Sequence, residues 1–230
     1  MKSIGIYRRV FPLTSEAFIK EQSHNMMRYQ PTFISNTLLK EVPFSSIAVS
    51  QNDLLGIKQA TFLLTRSPRL FSNLDSYSSL GLIHAHFGPD AVYAMPIAEK
   101  LNVPLLVTFH GYDITISRTA LWRKGKFLYY QLIFHEEELK RKAAKFIAVS
   151  HFIKKKLLEK NYPSGKIIQH YIGVNTEKFT PGKKADERYI LCVGRHTPKK
   201  GIDTLLRAFA KITNKHPEVS LIQVGTGALT

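Results

Sequence analysis

Residues 189–209 read YILCVGRHTPKKGIDTLLRAF and decide the fold class. The run 189–193 is apolar and short, which is typical of a buried strand. After a loop with glycine and basic residues, apolar residues recur at three-to-four spacing and form one face of a helix, namely Ile202, Leu205, Leu206 and Phe209. A second apolar run at 220–224 completes a strand-helix-strand unit.

The same alternation continues upstream of this unit. Short apolar runs separated by amphipathic stretches predict strands at 4–7, 32–36, near Ile47, 82–86, 105–109, 146–149 and 167–171. Such alternation predicts an α/β fold with a Rossmann-like parallel sheet and helices on both faces. We expect one such domain over 1–172, a linker over 173–188, and over 189–230 the first βαβ unit of a second domain.

Composition restricts the partners. The chain has 230 residues with a net charge of +16, which favours polyanions such as nucleic acid, anionic lipid or sugar nucleotides. Cys192 is the only cysteine, so no internal disulfide is expected. Neither a signal peptide nor a run of about 18 apolar residues is visible, and we expect a cytoplasmic protein.

Two places carry candidate chemistry. Gly194, Arg195 and Lys200 lie where a strand passes into a helix N-terminus, an arrangement that suits a diphosphate. A solvated basic loop is the alternative. His110 and Asp113 follow the strand 105–109, where open α/β sheets bind ligands, although a histidine that only caps a buried strand fits the same pattern.

His84 and His86 alternate along one strand, so both side chains point to one face. With His110 they could form three imidazole ligands for zinc, or they could shape the floor of a cleft. Ser150 precedes a helical stretch and is predicted to be its N-cap.

Six segments together resemble the retaining family-4 glycosyltransferases of the GT-B fold. They are 189–209 and the segments FPLTSEAFIKEQ (11–22), IHAHFG (83–88), VTFHGYD (107–113), FIAVSHFIKKKL (146–157) and IGVNTEKFTP (172–181). The segment 11–22 is similar to the corresponding segment of the subgroup that builds bacterial exopolysaccharides.

The resemblance implies transfer of a sugar from a nucleotide-sugar donor to a saccharide or lipid-linked acceptor, with retention of configuration. It implies that Arg195 and Lys200 hold the diphosphate, with Gly194, Gly225 and Gly227 on the same donor side. His110 would lie near the reacting carbon and Asp113 would support the acceptor side, with His84 and His86 in the acceptor-side cleft. No metal or other cofactor is expected, and the sequence contains no Asp-x-Asp.

The family's donor-side pair of glutamates, eight positions apart, is absent from this sequence. We therefore expect a donor domain that is cut short and a 230-residue chain that is inactive. The alternative is a non-catalytic binding module that keeps the acceptor domain. The first loop also lacks the glycines of many relatives, and its Arg8 and Arg9 could touch an anionic acceptor or form a solvated basic pair.

Residues 118–141 mix aromatic and basic side chains, as does a helix that lies on an anionic membrane. A packed helix with a solvated basic face fits equally well. A nucleic-acid partner is not expected, because no aromatic stacking platform is visible.

Overall fold

The computed structural model describes residues 2–182 and 188–227, and the chain forms two compact units, Met1–Gly173 and Val174–Thr230. The strands are β1 (Lys2–Tyr7), β2 (Val10–Phe11), β3 (Tyr29–Ser35), β4 (Thr37–Leu38), β5 (Ser45–Ala48), β6 (Leu80–His86), β7 (Leu105–Phe109), β8 (Lys145–Ala148), β9 (Ile167–Gln169), β10 (Arg188–Val193) and β11 (Val219–Val224). The helices are α1 (Ala17–His24), α2 (Ile57–Thr65), α3 (Gly88–Lys100), α4 (Tyr112–Thr115), α5 (Arg118–Arg123), α6 (Phe127–Lys142), α7 (His151–Glu159) and α8 (Ile202–Ala210).

The first unit is built on a seven-stranded sheet in the order β5-β3-β1-β6-β7-β8-β9, with every neighbouring pair parallel. The chain runs outward from β1 to β5 and then returns to place β6 against the other side of β1. The strand order therefore reverses between β1 and β6. In open parallel sheets, the carboxyl ends of the strands at such a reversal form the ligand-binding crevice.

Two apolar clusters stabilise this sheet. The larger one joins the strands to α3, α6 and α7 and contains fully buried aromatic side chains such as Phe62, Phe109 and Phe146. The smaller one packs α1 against β1 and β3 through Ile6, Ile19 and Phe33. Because the central strands are covered by side chains from both directions, their sequences read as nearly continuous apolar runs.

The predicted α/β class and parallel sheet are confirmed, including strands in the irregular segment at 32–36 and near Ile47. Two expectations need correction. The strand predicted over 167–171 ends at Gln169. The stretch 118–141 is not one helix, because Gly125 adopts a left-handed conformation (φ 64°) that ends α5 before α6 begins.

Ser150 is the N-cap of α7, as predicted, since its Oγ accepts a hydrogen bond from the Ile153 N–H at 3.2 Å. The mixed-charge run 183–187 and residues 228–230 lie outside the described residues. Within 2–182 and 188–227, no helix is both long and apolar enough to cross a bilayer.

The second unit contains β10 and β11, which pair in parallel, and α8 between them. Its apolar side chains are largely exposed, as Leu191 and Val193 on β10 and Val224 on β11 show. None of the residues described over 174–182 and 188–227 is buried. This unit therefore forms the predicted βαβ arrangement without an interior of its own.

Candidate functional site

The first group of candidate residues lies at the carboxyl ends of β1, β6 and β7, next to the reversal of strand order. Arg8 follows β1, Phe87 follows β6 and His110 follows β7. Parallel pairing brings these three strand ends to the same edge of the sheet. The fold thereby gathers residues that are far apart in the sequence.

Three histidines lie close together here, joined by ring contacts and by one hydrogen bond between His86 and His110. His84 and His86 share one face of β6, with ring centroids 4.4 Å apart, as their alternation predicted. His84 Nε2 lies 2.7 Å from Thr108 Oγ1, and His86 Nδ1 lies 3.0 Å from His110 Nε2. Within the described residues, no group of three His, Cys, Asp or Glu side chains is arranged to hold a metal ion.

Burial holds this group neutral at physiological pH. It lowers the pKa of His84 to about 4 and that of His110 to about 3, with smaller contributions from His84 and Arg8 to the latter. It also lowers the pKa of His86 well below its ordinary value. A neutral imidazole can orient a ligand by hydrogen bonding, but it supplies no positive charge.

Aromatic rings enclose His110. The ring of Phe18 on α1 lies 4.8 Å from the His110 ring, and that of Phe87 lies 4.5 Å away, measured between centroids. Phe87 has a φ of 72°, a conformation that is strained for a residue with a side chain. Packing around Phe87 must therefore compensate for this strain.

Part of that packing is Arg8. Its guanidinium carbon lies 4.5 Å from the centre of the Phe87 ring. Its Nε and Nη2 donate to the two carboxylate oxygens of Glu16 at 2.6 and 2.5 Å, and its Nη1 donates to Asp90. Burial opposes the charge on Arg8, but Asp90 and Glu16 more than offset this and raise its pKa.

The solvated basic pair considered for Arg8 and Arg9 is therefore wrong for Arg8, which is buried and paired on both sides. Arg9 is more exposed, with its Nε 3.8 Å from an Asp90 oxygen. Sequence reasoning missed the Arg8 group. The one signal was Asp90 in the first turn of α3. Acidic residues are common at that position because the helix dipole favours them, so Asp90 did not indicate a buried ion pair.

Asp113 lies behind His110 rather than beside an open surface. Its carboxylate accepts the N–H of Gly88 at 3.0 Å and the N–H of Gly111 at 2.9 Å, so it links the start of α3 to the turn after β7. Burial raises the pKa of Asp113 to about 6 against the effect of these bonds. Gly111 has a φ of 137°, which only glycine adopts readily. These contacts give Asp113 a positioning role.

The second group of candidates lies in the second unit, where the loops after β10 and β11 run side by side. The N–H of Gly194 donates to Val224 O at 2.9 Å, and that of His196 donates to Thr226 O at 3.0 Å. A Cβ on Gly225 would lie 1.9 Å from Gly194 O, so this approach requires glycine. Gly227 is similarly restricted, since its Cβ would lie 2.4 Å from His196 O.

Arg195 and Lys200 are both exposed in this unit. The Lys200 stem passes over Gly194, where an added Cβ would lie 3.7 Å from Lys200 Cδ. In the part of the chain that the structure describes, neither cation has an ion-pair partner. Gly201, just beyond Lys200, is the N-cap of α8, so both cations lie near a helix N-terminus.

Family models match both units. The model described as Glycosyltransferase Family 4 matches residues 26–178, and the one described as Glycosyl transferases group 1 matches residues 174–229. The first match covers well over half of the chain. The chain therefore belongs to glycosyltransferase family 4.

Curated relatives are consistent with this. An uncharacterized glycosyltransferase of Bacillus subtilis, YqgM, is 28% identical over 146 residues, which is 64% of this chain and 40% of that protein. A GDP-mannose-dependent alpha-(1-6)-phosphatidylinositol monomannoside mannosyltransferase of Mycolicibacterium smegmatis is 27% identical over 160 residues, which is 61% of this chain and 38% of that protein. The chain matches about two fifths of the length of these relatives.

Solved structures share the fold. HepE of Anabaena, crystallised with UDP and glucose, has a TM-score of 0.68 at 16% identity, covering 99% of this chain and 61% of that one. Sucrose-phosphate synthase of Thermosynechococcus elongatus has a TM-score of 0.65 at 17% identity, covering 98% and 62%. These likenesses confirm the predicted GT-B-like, Rossmann-like class.

Replacing Arg8 tests the buried ion group. We expect Arg8→Met to lower the free energy of unfolding by about 3–5 kcal/mol, because it leaves the buried carboxylate of Glu16 without its partner and removes one partner of the buried Asp90. The matched variant Arg9→Met should cost about 1 kcal/mol or less, since Arg9 is more exposed. Urea denaturation measures both. Equal losses for the two variants would show that Arg8 has no special structural role.

The buried histidines predict a loss of stability in mild acid. Their folded pKa values lie below the unfolded value of about 6.5, so only the unfolded chain gains their protons as the pH falls. From pH 7 to pH 5 this costs about 2 kcal/mol for each of His84 and His110, and His86 acts in the same direction, while Asp113, with its raised pKa, returns about 1 kcal/mol. Urea denaturation at pH 7 and pH 5 should show the net loss. A His84→Asn variant should lose about 2 kcal/mol less over this step; an unchanged step would contradict the assignment.

Proposed function

We propose that this chain carries the acceptor side and part of the donor side of a retaining glycosyltransferase. Its donor is a nucleoside diphosphate sugar and its acceptor is a saccharide or a lipid-linked saccharide. The observation that carries this proposal is the neutral, largely buried histidine group that ends in His110, at the strand-order reversal of a family-4 sheet. The name of the Mycolicibacterium relative, GDP-mannose-dependent, and the UDP bound by Anabaena HepE support the donor class.

In the proposed reaction, the bond between the sugar's anomeric carbon and the diphosphate oxygen breaks, and its electron pair leaves with the diphosphate. Arg195 and Lys200, once the bound diphosphate has ordered them, offset the negative charge that develops there. An acceptor oxygen bonds to the anomeric carbon on the face that the diphosphate leaves, and its proton passes to the departing diphosphate oxygen. The proposed reaction uses no metal ion, because Arg195 and Lys200, which have no ion-pair partner among the described residues, supply the positive charge.

The role proposed for His110 is to orient the sugar. Its low pKa makes it an ineffective acid at neutral pH, and its Nε2 is already engaged by His86. The rings of Phe18 and Phe87 hold it in place, so that the sugar meets a rigid, uncharged surface. Asp113 fixes the turn that carries His110, and His84 and His86 form the layer beneath it.

The proposed setting is the synthesis of cell-surface polysaccharide from donors in the cytoplasm, with attachment to the inner face of the membrane. The resemblance of 11–22 to exopolysaccharide enzymes supports this setting. An anionic membrane surface is then a natural partner for a chain with a net charge of +16.

A non-catalytic binding module is the second candidate. One observation favours it: none of the described residues of the second unit is buried, so Arg195 and Lys200 lie on a surface rather than in an enclosed site. Electrostatic catalysis depends on groups that are held in place within a site shielded from water. The acceptor side could then bind a saccharide without transferring sugar to it.

We expect the 230-residue chain to bind UDP-glucose and GDP-mannose more weakly than micromolar and to form no product, because Arg195 and Lys200 lie on a surface rather than in an enclosed donor site. Calorimetric titration with each donor, beside a product assay, measures this. Micromolar binding with turnover would contradict the expectation, and would show that β10, β11 and α8 suffice. Saccharide binding without donor binding would favour the binding module.

In a form of the enzyme that binds donor, two variants should separate the roles of the two units. His110→Ala should lower kcat by at least about a hundredfold with little change in donor affinity, since a positioned group at the reacting centre is lost. Arg195→Ala should weaken UDP or GDP binding by about tenfold or more, since a charge-assisted contact is lost. Arg207→Ala, a cation on α8 well past its start, is the control. The assignment fails if His110→Ala keeps kcat within a few fold, or if Arg195→Ala and Arg207→Ala behave alike.

A further inference from the structure

An exposed aromatic cluster lies where α5 meets α6. The Trp122 ring is 4.7 Å from the Tyr130 ring and 6.0 Å from the Phe134 ring, measured between centroids. Trp122 is 52% exposed, Phe134 is 65% exposed and Phe127 is 43% exposed. Side chains of this size seldom gather on the surface of a protein unless they meet a partner there.

Basic residues border the cluster without any acidic neighbour in the sequence. Arg123 ends α5, Lys124 and Lys126 lie in the turn between α5 and α6, and all three are exposed. Residues 114–135 contain no Asp or Glu. Over 2–182 and 188–227, none of the three cations forms an ion pair with a carboxylate, and Lys124 lies 5.4 Å from the centre of the Tyr112 ring.

A second set of exposed apolar side chains, the α2 strip, lies on α2 and in the segment before it. The end of α2 meets α6 where Arg66 Nη2 lies 3.2 Å from His135 Nδ1. Leu64 precedes that contact on α2 and is 63% exposed, while Phe134 precedes it on α6. One helical turn or more before Leu64, the strip includes the exposed Leu54, Leu55 and Ile57.

We propose that these residues form an attachment surface for an anionic lipid bilayer, with the aromatic cluster and the α2 strip entering the headgroup region. The arrangement matches an interfacial surface, since large amphipathic rings lie beside exposed cations. The centres of protein interfaces, by contrast, are depleted in lysine. Gly125 contributes by ending α5, so that Trp122 meets Tyr130 across the turn and the three cations project from it.

The proposal rests on the proposed function in one respect only: attachment to a membrane would bring the enzyme to a lipid-linked acceptor. Its test needs neither donor nor acceptor, so it can fail while the proposed activity stands. Because Trp122 is the only tryptophan of the chain, its fluorescence reports directly on the surface.

The experiment adds vesicles of phosphatidylcholine alone, or of phosphatidylcholine mixed with phosphatidylglycerol, to the full chain. With the anionic vesicles, we expect a blue shift of Trp122 emission and sedimentation of the protein with the vesicles. Added salt should reverse both, because surface charges are screened within about 8–10 Å. Equal binding to both vesicle types, or sedimentation without a Trp122 shift, would overturn the proposal.

Charge variants locate the surface. Since each basic residue near an anionic bilayer contributes about fivefold, the variant Arg123→Gln/Lys124→Gln/Lys126→Gln should lower the partition coefficient by roughly a hundredfold. The matched control Lys20→Gln/Arg28→Gln/Lys40→Gln removes the same charge from exposed positions on α1, before β3 and after β4. Its partition coefficient should stay within a few fold of that of the unmodified chain. Equal losses would show that net charge alone drives binding, and would overturn the proposal.

Apolar variants complete the test. Phe134→Ser and Leu64→Ser should each weaken binding to anionic vesicles, with unchanged circular dichroism, since both side chains are exposed. A Trp122 shift that appears without lipid, and grows with protein concentration, would identify a second copy of the chain as the occupant and overturn the bilayer proposal.

Discussion

The buried guanidinium of Arg8 is the constraint on which the site depends. A charge inside a protein must be paired, and Arg8 finds its partners in Glu16, just before α1, and in Asp90, in the first turn of α3. These contacts tie the end of β1 to two helices that are separate in sequence. The rings of Phe18 and Phe87 belong to the same two helical segments and enclose His110. The geometry of the uncharged histidine group therefore follows from the pairing of one charged residue nearby.

Much of the fold could be predicted from the sequence because its physical cause is local. Strands buried on both faces read as apolar runs, and the alternation of His84 and His86 places both rings on one side of β6. The Arg8 group could not be predicted in this way, since Asp90 lies 82 residues from Arg8 and only the strand order brings them together. The break at Gly125 was missed because the residues on either side of it favour a helix.

The two groups of candidate residues differ in how they are held. The residues around His110 are buried or partly buried and are joined by hydrogen bonds, ring contacts and an ion group, so their arrangement exists before any ligand arrives. Gly225 and Gly227 also fix their loops closely, because backbone atoms there leave no space for a side chain. Arg195 and Lys200, however, keep the freedom of exposed side chains. Ligand binding at that position would have to order them, which opposes affinity.

The absence of buried side chains among residues 174–182 and 188–227 also bears on the lifetime of the protein in a cell. Segments with few buried contacts open at little cost in free energy, and proteases cleave the opened form. Quality control would thus act on β10, β11 and α8 long before it reached the sheet around His110. Degradation would begin in this part of the chain, and the amount of intact protein would depend on how quickly these elements gain a covering layer after synthesis.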